Sequence, residues 1–322
     1  MAGHGSKKVI YAALIGNSLI SVTKFGAAIV TGSSAMLSEA IHSVVDTGNQ
    51  CLLLYGIKRS KRPPDDAHPF GYGAEIYFWS FVVAILIFGL GAGISFYEGV
   101  QKLMQPHPIS DPHINYIVLS AAMVFEAIAW WIAYKEFGKV RGNFGLFEAV
   151  QRSKDPTIFT VLFEDTAAML GLVAAMIGIA CADKLGIVWA DGAASVAIGV
   201  ILAGTAAIMA YETKGLLIGE SASQDMRQGV RGIVGRTKDV RHINELRTMH
   251  LAPNDILVAL SLDFQDNLKA GRVEETIFKL EQDIKARFPD VKRLFIEVQS
   301  QRDHDRVAAA ERRAERAAEK DA

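Results

Sequence analysis

The chain has 322 residues, of which 50% are hydrophobic, and its charged side chains nearly balance at a formal net charge of -1. That balance excludes a strongly basic nucleic-acid-binding protein, because such proteins carry a basic footprint. Residues 9 to about 212 consist of long apolar runs, whereas residues 213–322 have a charged, water-soluble composition. Both cysteines, Cys51 and Cys181, lie in apolar segments, which indicates small core residues rather than a disulfide framework or a thiolate zinc site.

Six apolar runs are long enough to cross a hydrocarbon layer of roughly 30 Å as α-helices. They lie at about residues 9–31, 36–57, 77–103, 114–136, 157–182 and 187–211. Lysine and arginine are concentrated before the first run, after the second, and between the fourth and fifth, while the alternate loops hold almost none. The positive-inside rule then predicts six transmembrane helices with both termini in the cytoplasm.

The polar part of the chain predicts a cytoplasmic α+β domain at 213–302 and a charged, alanine-rich tail at 303–322. Periodicity and turn residues predict a helix, two strands, a second helix and a third strand, in that order. This order favours an open-faced sandwich of the ferredoxin-like, metallochaperone-like type, which we expect to dimerise rather than catalyse a reaction. The predicted fold is therefore an α-helical polytopic membrane domain at 1–212 followed by this smaller domain.

Three ionisable residues follow one stripe of the second span: Glu39, His42 and Asp46. Offsets of three and four place side chains on one helical face, and an ionisable group at the membrane centre costs roughly 2.5–3.5 kcal/mol on insertion scales. An imidazole and a carboxylate one turn apart can bind one divalent cation. The pattern predicts metal coordination by His42 and Asp46, with Glu39 as an outer group or cavity wall. For His42 alone, a buried hydrogen-bonded histidine is the alternative.

The fifth span contributes two adjacent carboxylates, Glu164 and Asp165. Neighbouring residues of a helix point about 100° apart, so the two cannot face one ion equally well. Asp165 is the preferred ligand, while Glu164 has three open roles: a bond to a neighbouring helix, a proton carrier, or a ligand from the side. One imidazole with two or three carboxylates fits a tetrahedral Zn²⁺ site, and Fe²⁺ or Mn²⁺ remain alternatives.

Four other ionisable residues of the spans have structural interpretations. Lys24 and Glu98 lie near span ends, where long side chains can extend to the interface. Glu126 lies near the middle of the fourth span and is a candidate partner for Lys24. Asp191 opens the sixth span, where the N-terminus of a helix favours an anion.

The chain resembles the cation diffusion facilitator family in several features. These are six spans, a histidine and an aspartate four residues apart in the second span, a carboxylate in the fifth, and a terminal α+β domain. Two segments, Leu37–Asp46 and Asp65–Glu75, are similar to signatures of that family. The Glu164-Asp165 doublet and the segment 250–264 are most similar to the branch that includes the mitochondrial-type zinc transporters. The resemblance covers nearly the whole chain.

The resemblance implies a homodimer in the lipid bilayer that exports a divalent metal ion, often Zn²⁺, in exchange for protons. It implies a transport site of His42, Asp46 and Asp165, and a further loop site that includes Asp65 and His68. The lack of a transit peptide and of a histidine-rich loop favours a bacterial inner membrane as its location.

Several positions depart from the family pattern. Val161 occupies the place of a customary ligand one turn before the span-five aspartate, and Tyr72 occupies the third position of the loop site. In the terminal domain, Asn244 and Ser261 stand about where histidines of a cytoplasmic metal site would stand, although His242 and His250 remain. The change at Val161 leaves an alternative open: a membrane-bound metal sensor or a non-transporting partner subunit.

Overall fold

The computed structural model describes residues 5–141, 145 and 154–321. The chain divides into two compact units, residues 1–217 and residues 218–322. Part of the basic segment predicted between the fourth and fifth spans, including Arg152, lies outside the described residues.

The first unit is built from long helices. They are α1 (Gly5–Thr31), α2 (Ser34–Ser60), α3 (Glu75–Leu86), α4 (Gly93–Met104), α5 (Pro112–Arg141), α6 (Pro156–Lys184) and α7 (Ala190–Ile218). A π-helical segment, Ile87–Ala92, connects α3 to α4 without a break. The start of α6 has a clear local cause: the Asp155 carboxylate accepts the Thr157 amide at 3.0 Å, and proline follows at the first helical position.

Within the described residues, four helical stretches are long and apolar enough to cross a membrane. They are Glu75–Met104, Pro112–Lys135, Phe159–Lys184 and Ala190–Ile218. Both α1 and α2 have 27 residues, which is a sufficient length, but neither is among these four. Helix α2 is not among them because it contains many polar and ionisable side chains. The count of six spans therefore stays a prediction, while a helical membrane domain is established.

The helices of the first unit pack around α2. Helices α1 and α2 form a hairpin whose turn contains Gly32 at a φ of +67°, and α2 also contacts α3, α4 and α6. The shared core contains Met36, Leu172 and Ile198, all fully buried. Because α2 lies against several helices at once, a polar stripe on it is placed inside the unit rather than towards lipid.

The second unit has a three-stranded sheet and three helices. Its elements are α8 (Gln224–Val234), β1 (Val240–Ala252), β2 (Asp255–Phe264), α9 (Ala270–Arg287), β3 (Val291–Val298) and α10 (Gln301–Asp321). The strand order is β1-β2-β3, with β2 antiparallel to β1 and parallel to β3. The predicted order of elements is confirmed, and the tail predicted at 303–322 is the helix α10.

The core of the second unit lies between the sheet and the helices α8 and α9. Its fully buried side chains include Val230 of α8, Val258 and Leu262 of β2, and Ile284 of α9. Alternate residues of β2 point to one side of the sheet, and α9 provides the crossover that a parallel β2–β3 pair needs.

Candidate metal-transport site

One face of α2 carries four polar residues with spacings of three, four and three: Glu39, His42, Asp46 and Asn49. All four are buried, with exposed fractions of 9% or less. The His42 Nε2 and Asp46 Oδ2 atoms lie 3.4 Å apart. Neither imidazole nitrogen of His42, nor Asp46 Oδ1, has a hydrogen-bond partner among the described residues. The alternative of a hydrogen-bonded core histidine therefore does not describe His42 in this structure.

Helix α6 packs against α2 and presents the two span-five carboxylates near this face. Glu164 is buried, and its Oε1 accepts a hydrogen bond of 2.8 Å from Asn49 Nδ2. Asp165 is half-buried, and its carboxyl lies within Coulombic range of that of Asp46. Of the roles open to Glu164, the bond to a neighbouring helix is the one present here. We call Glu39, His42, Asp46, Asn49, Glu164 and Asp165 the α2–α6 cluster.

Lys24 of α1 contacts the cluster at Glu39. Its Nζ lies 3.1 Å from Glu39 Oε2 and donates a 2.9 Å hydrogen bond to Ser43 Oγ, and both lysine and glutamate are fully buried. The prediction that Lys24 extends to the membrane interface is therefore wrong. Its ion pair is formed with Glu39, while Glu126 lies only within Coulombic range.

The side chains do not meet in one coordination sphere in this conformation. No group of three or more histidine, cysteine, aspartate or glutamate side chains in the described part of the chain is close enough to hold a metal ion. His42 and Asp46 are adjacent, and the α6 carboxylates lie on the helix opposite. Val161, one turn before Asp165, offers no donor atom.

A second buried polar group joins the ends of α1, α2, α4 and α7. Asp191, in the first turn of α7, accepts hydrogen bonds from Ser33 Oγ (2.6 Å), the Ser34 amide (2.8 Å) and Ser34 Oγ (3.1 Å). Lys102 Nζ lies 3.7 Å from the Asp191 carboxylate and donates to the Gly32 carbonyl oxygen at 2.9 Å. The carboxylate therefore stabilises the N-terminus of α2 in addition to that of its own helix. We call these residues, with His107 beside Lys102, the Lys102 cluster.

The loop between α2 and α3 brings Asp65, His68 and Tyr72 together. Asp65 Oδ1 accepts the His68 amide at 2.7 Å and lies 3.5 Å from His68 Nδ1, while the Tyr72 hydroxyl donates to Asp65 Oδ2 at 2.6 Å. The Tyr72 hydrogen bond, followed by the His68 amide, lowers the pKa of the Asp65 carboxyl below its ordinary value. Tyrosine at the third loop position thus binds the aspartate instead of adding an imidazole.

In the second unit, Asn244 lies at a register shift of β1, beside Ser261 of β2, which pairs with Glu245. Asn244 Nδ2 donates to the Gln299 carbonyl oxygen at 2.8 Å and to Ser261 Oγ at 3.3 Å. His242 is exposed, whereas His250 is buried. The two positions where histidines were expected from the family pattern thus form a neutral hydrogen-bonded group.

Known proteins are similar to this chain in sequence over most of its length. Residues 10–218 match the family described as "Cation efflux transmembrane domain". The "Proton-coupled zinc antiporter SLC30A9, mitochondrial" of Xenopus laevis is 33% identical over 282 residues, which are 87% of this chain and 50% of that protein. "Cation-efflux pump FieF" of Shigella flexneri is 26% identical over 274 residues, 84% of this chain and 85% of its own.

"Metal tolerance protein C4" of Arabidopsis thaliana is 28% identical over 265 residues, 82% of this chain and 58% of that protein. The chain thus spans about half the length of the mitochondrial relatives it matches. The similarity to the mitochondrial-type branch, predicted from the span-five doublet, is confirmed by these matches. With the transmembrane-domain match covering well over half of its residues, the chain belongs to the cation efflux, or cation diffusion facilitator, family.

Proposed function

We propose that this chain transports a divalent metal cation, with Zn²⁺ as the favoured substrate, out of the cytoplasm in exchange for protons. The observation that carries the proposal is the α2–α6 interface. It contains a buried imidazole and a buried carboxylate with unpaired polar atoms, His42 and Asp46, and the opposite helix carries Asp165. Buried polar groups cost free energy unless a partner is present, and a passing cation would be such a partner.

Proton exchange follows from the ligand chemistry. Metal binding needs a neutral imidazole and ionised carboxylates, so cations and protons compete for the same atoms. Because the described side chains do not meet around one point, we propose that α6 moves towards α2 when the cation binds. If that movement breaks the Asn49–Glu164 hydrogen bond, Glu164 joins the ligands. If the hydrogen bond is kept, Glu164 stays outside the ligand set.

Several finer features belong to the same proposal. We propose six transmembrane helices, both termini in the cytoplasm of a bacterial inner membrane, and a homodimer. In each protomer of this homodimer, residues 1–212 transport the cation and the domain at 213–302 supports dimerisation. The loop pair Asp65 and His68 is proposed as a weaker metal site, since both oxygens of Asp65 already accept hydrogen bonds from the loop.

The direct test is Zn²⁺ flux into proteoliposomes that contain the purified chain and an entrapped zinc indicator, under an imposed pH gradient. We expect flux that moves protons the opposite way, and loss of that flux to the level of protein-free liposomes in Asp46→Ala and Asp165→Ala. Glu98→Gln is the matched control, because it removes a carboxylate of α4 outside the cluster. Undiminished flux in both aspartate variants would overturn the proposal.

The same assay separates the remaining alternatives. Competition among Zn²⁺, Fe²⁺, Mn²⁺ and Co²⁺ determines the preferred substrate, because affinity order alone does not set selectivity. A second candidate is a membrane-bound metal sensor or non-transporting partner subunit. It is favoured by the lack of a ligand side chain at Val161 and by the incomplete coordination sphere among the described residues. Zn²⁺ binding that requires Asp46 without any flux would support that candidate.

A further inference from the structure

Lys24 connects α1 to the α2 residues on either side of His42. Its ammonium contacts Glu39 Oε2 at 3.1 Å and Ser43 Oγ at 2.9 Å, and these two residues lie one helical turn apart. Both Lys24 and Glu39 are fully buried. The positive charge of Lys24 is therefore held beside the proposed ligand His42 and has no access to solvent.

The second oxygen of Glu39 faces helix α6. Glu39 Oε1 accepts no hydrogen bond within the described part of the chain, and it lies against Gly171 of α6, where even a Cβ atom would overlap it. The oxygen thus points into the same α2–α6 interface that contains His42 and Asp46. Glu39 therefore presents to this interface a carboxylate oxygen that has no hydrogen-bond partner among the described residues, while Lys24 neutralises its charge.

The charge of Lys24 also acts on the ligands themselves. Its ammonium lies within Coulombic range of His42 and of Asp46. Without Lys24, the site would contain one more carboxylate without a cationic partner and one positive charge fewer. Both changes would strengthen the binding of a divalent cation. A transporter needs binding that is strong enough to capture the ion and weak enough to release it.

We propose that Lys24 is a positioning residue that sets the cation affinity of the transport site. Its ammonium keeps Glu39 out of the ligand set and repels the bound cation, so that the cation is released. This inference rests on the proposed transport function, and the experiment below tells the two apart.

Two single variants have opposite expected effects on Zn²⁺ binding, measured by calorimetry on the purified chain in detergent. Lys24→Met frees the Glu39 carboxylate and is expected to tighten binding about tenfold or more, the effect of one charge within roughly 10 Å at an effective dielectric constant of about 20. Glu39→Gln leaves the ammonium unpaired and is expected to weaken binding by a similar factor. A merely structural role for the pair would weaken binding in both variants.

Kinetics and spectroscopy add readouts that loss of structure would not produce. In liposomes, Lys24→Met is expected to lower both KM and the maximal flux, because release becomes slow. The visible absorption of bound Co²⁺ should change in this variant, since a carboxylate joins the ligands. The double variant Lys24→Met/Glu39→Gln is expected to move the Zn²⁺ affinity back towards that of the parent. Thr23→Val, an exposed neighbour in α1, is the matched control.

Each result has one interpretation. If Asp46→Ala leaves Zn²⁺ binding and flux intact, the proposed transport site fails. If Asp46→Ala abolishes both, while Lys24→Met binds no more tightly than the parent, the inference about Lys24 is overturned and the transport site stands. Should Lys24→Met fail to fold, Glu39→Gln and the double variant decide: equal affinities in these two would overturn the inference.

Discussion

Two buried lysines of the membrane unit, Lys24 and Lys102, lie in different surroundings. In the Lys102 cluster the carboxylate of Asp191 accepts several hydrogen bonds, and the ammonium of Lys102 has a carbonyl and a carboxylate beside it. Beside Lys24, by contrast, Glu39 Oε1 and both nitrogens of His42 have no hydrogen-bond partner among the described residues. Unpaired buried polar atoms cost about 1–3 kcal/mol each. We therefore expect the first cluster to serve stability, and we propose that the unpaired atoms of the second are available to a ligand.

The largest expected effect separates the two clusters by stability. Asp191→Ala removes the partner of a buried ammonium and the carboxylate at the N-terminus of α2. Removing one partner of a buried ion pair costs about 3–5 kcal/mol, and we expect a loss of free energy of unfolding in that range. Denaturant unfolding of the detergent-solubilised protein, followed by tryptophan fluorescence, measures it.

The corresponding change in the α2–α6 cluster is Asp46→Asn, which removes a buried charge and keeps the shape. Because Asp46 Oδ1 lacks a hydrogen-bond partner among the described residues, we expect the free energy of unfolding to change by less than about 1 kcal/mol or to rise. Zn²⁺ flux should nevertheless be lost. Equal destabilisation by Asp191→Ala and Asp46→Asn would contradict the distinction between the clusters.

A smaller effect is expected from Gly171→Ala, which tests whether Glu39 is fixed in place by Lys24. A Cβ at this position overlaps Glu39 Oε1, so the carboxylate must move or α6 must shift. Overpacking of this kind costs about 1–3 kcal/mol, measured by the same unfolding experiment.

Gly48→Ala on the exposed side of α2 is the matched control for that substitution. A Cβ there has no atom of the described residues within 4 Å, so the alanine should stabilise the helix by roughly 0.5–1 kcal/mol. A gain of the same size at both glycines would show that the Glu39 side chain moves freely.

The smallest effect concerns the α2–α3 loop and depends on pH. The Tyr72 hydroxyl lowers the pKa of Asp65, so Tyr72→Phe should return that pKa towards its ordinary value. A carboxyl with a lowered pKa in the folded state adds stability above its unfolded pKa, and the contribution is lost as the pH falls through the folded value. NMR titration of carbon-labelled aspartate in parent and variant measures the shift, and identical titration curves would exclude the hydrogen bond.

Local spacing in the sequence predicted the helices and strands of the terminal domain and the proximity of His42 and Asp46 on α2. His42 and Asp46 are one turn apart, so their proximity needs no long-range information. Local spacing did not predict contacts between residues that are distant in the chain. Asp191 was interpreted through its own helix, whereas its hydrogen-bond partners lie more than 150 residues earlier. Such contacts depend on how the helices pack, which spacing along one helix does not specify.

The Lys24–Glu39 pair could have been inferred from the hairpin that contains it. Lys24 lies eight residues before Gly32, and Glu39 lies six residues after Ser33, so both are about two helical turns from the turn of the hairpin. Two antiparallel helices place such positions at the same depth, and opposite charges at one depth are expected to pair. The prediction that Lys24 extends to the interface treated α1 alone and missed this symmetry.

The π-helical segment Ile87–Ala92 has a consequence for the residues that follow it. A wide turn inserts an extra residue relative to a regular helix, and each residue rotates the face of an α-helix by about 100°. The direction in which α4 presents Lys102 to Asp191 is therefore determined by this turn. Spacing counted from the start of α3 would assign Lys102 to a different side of the span.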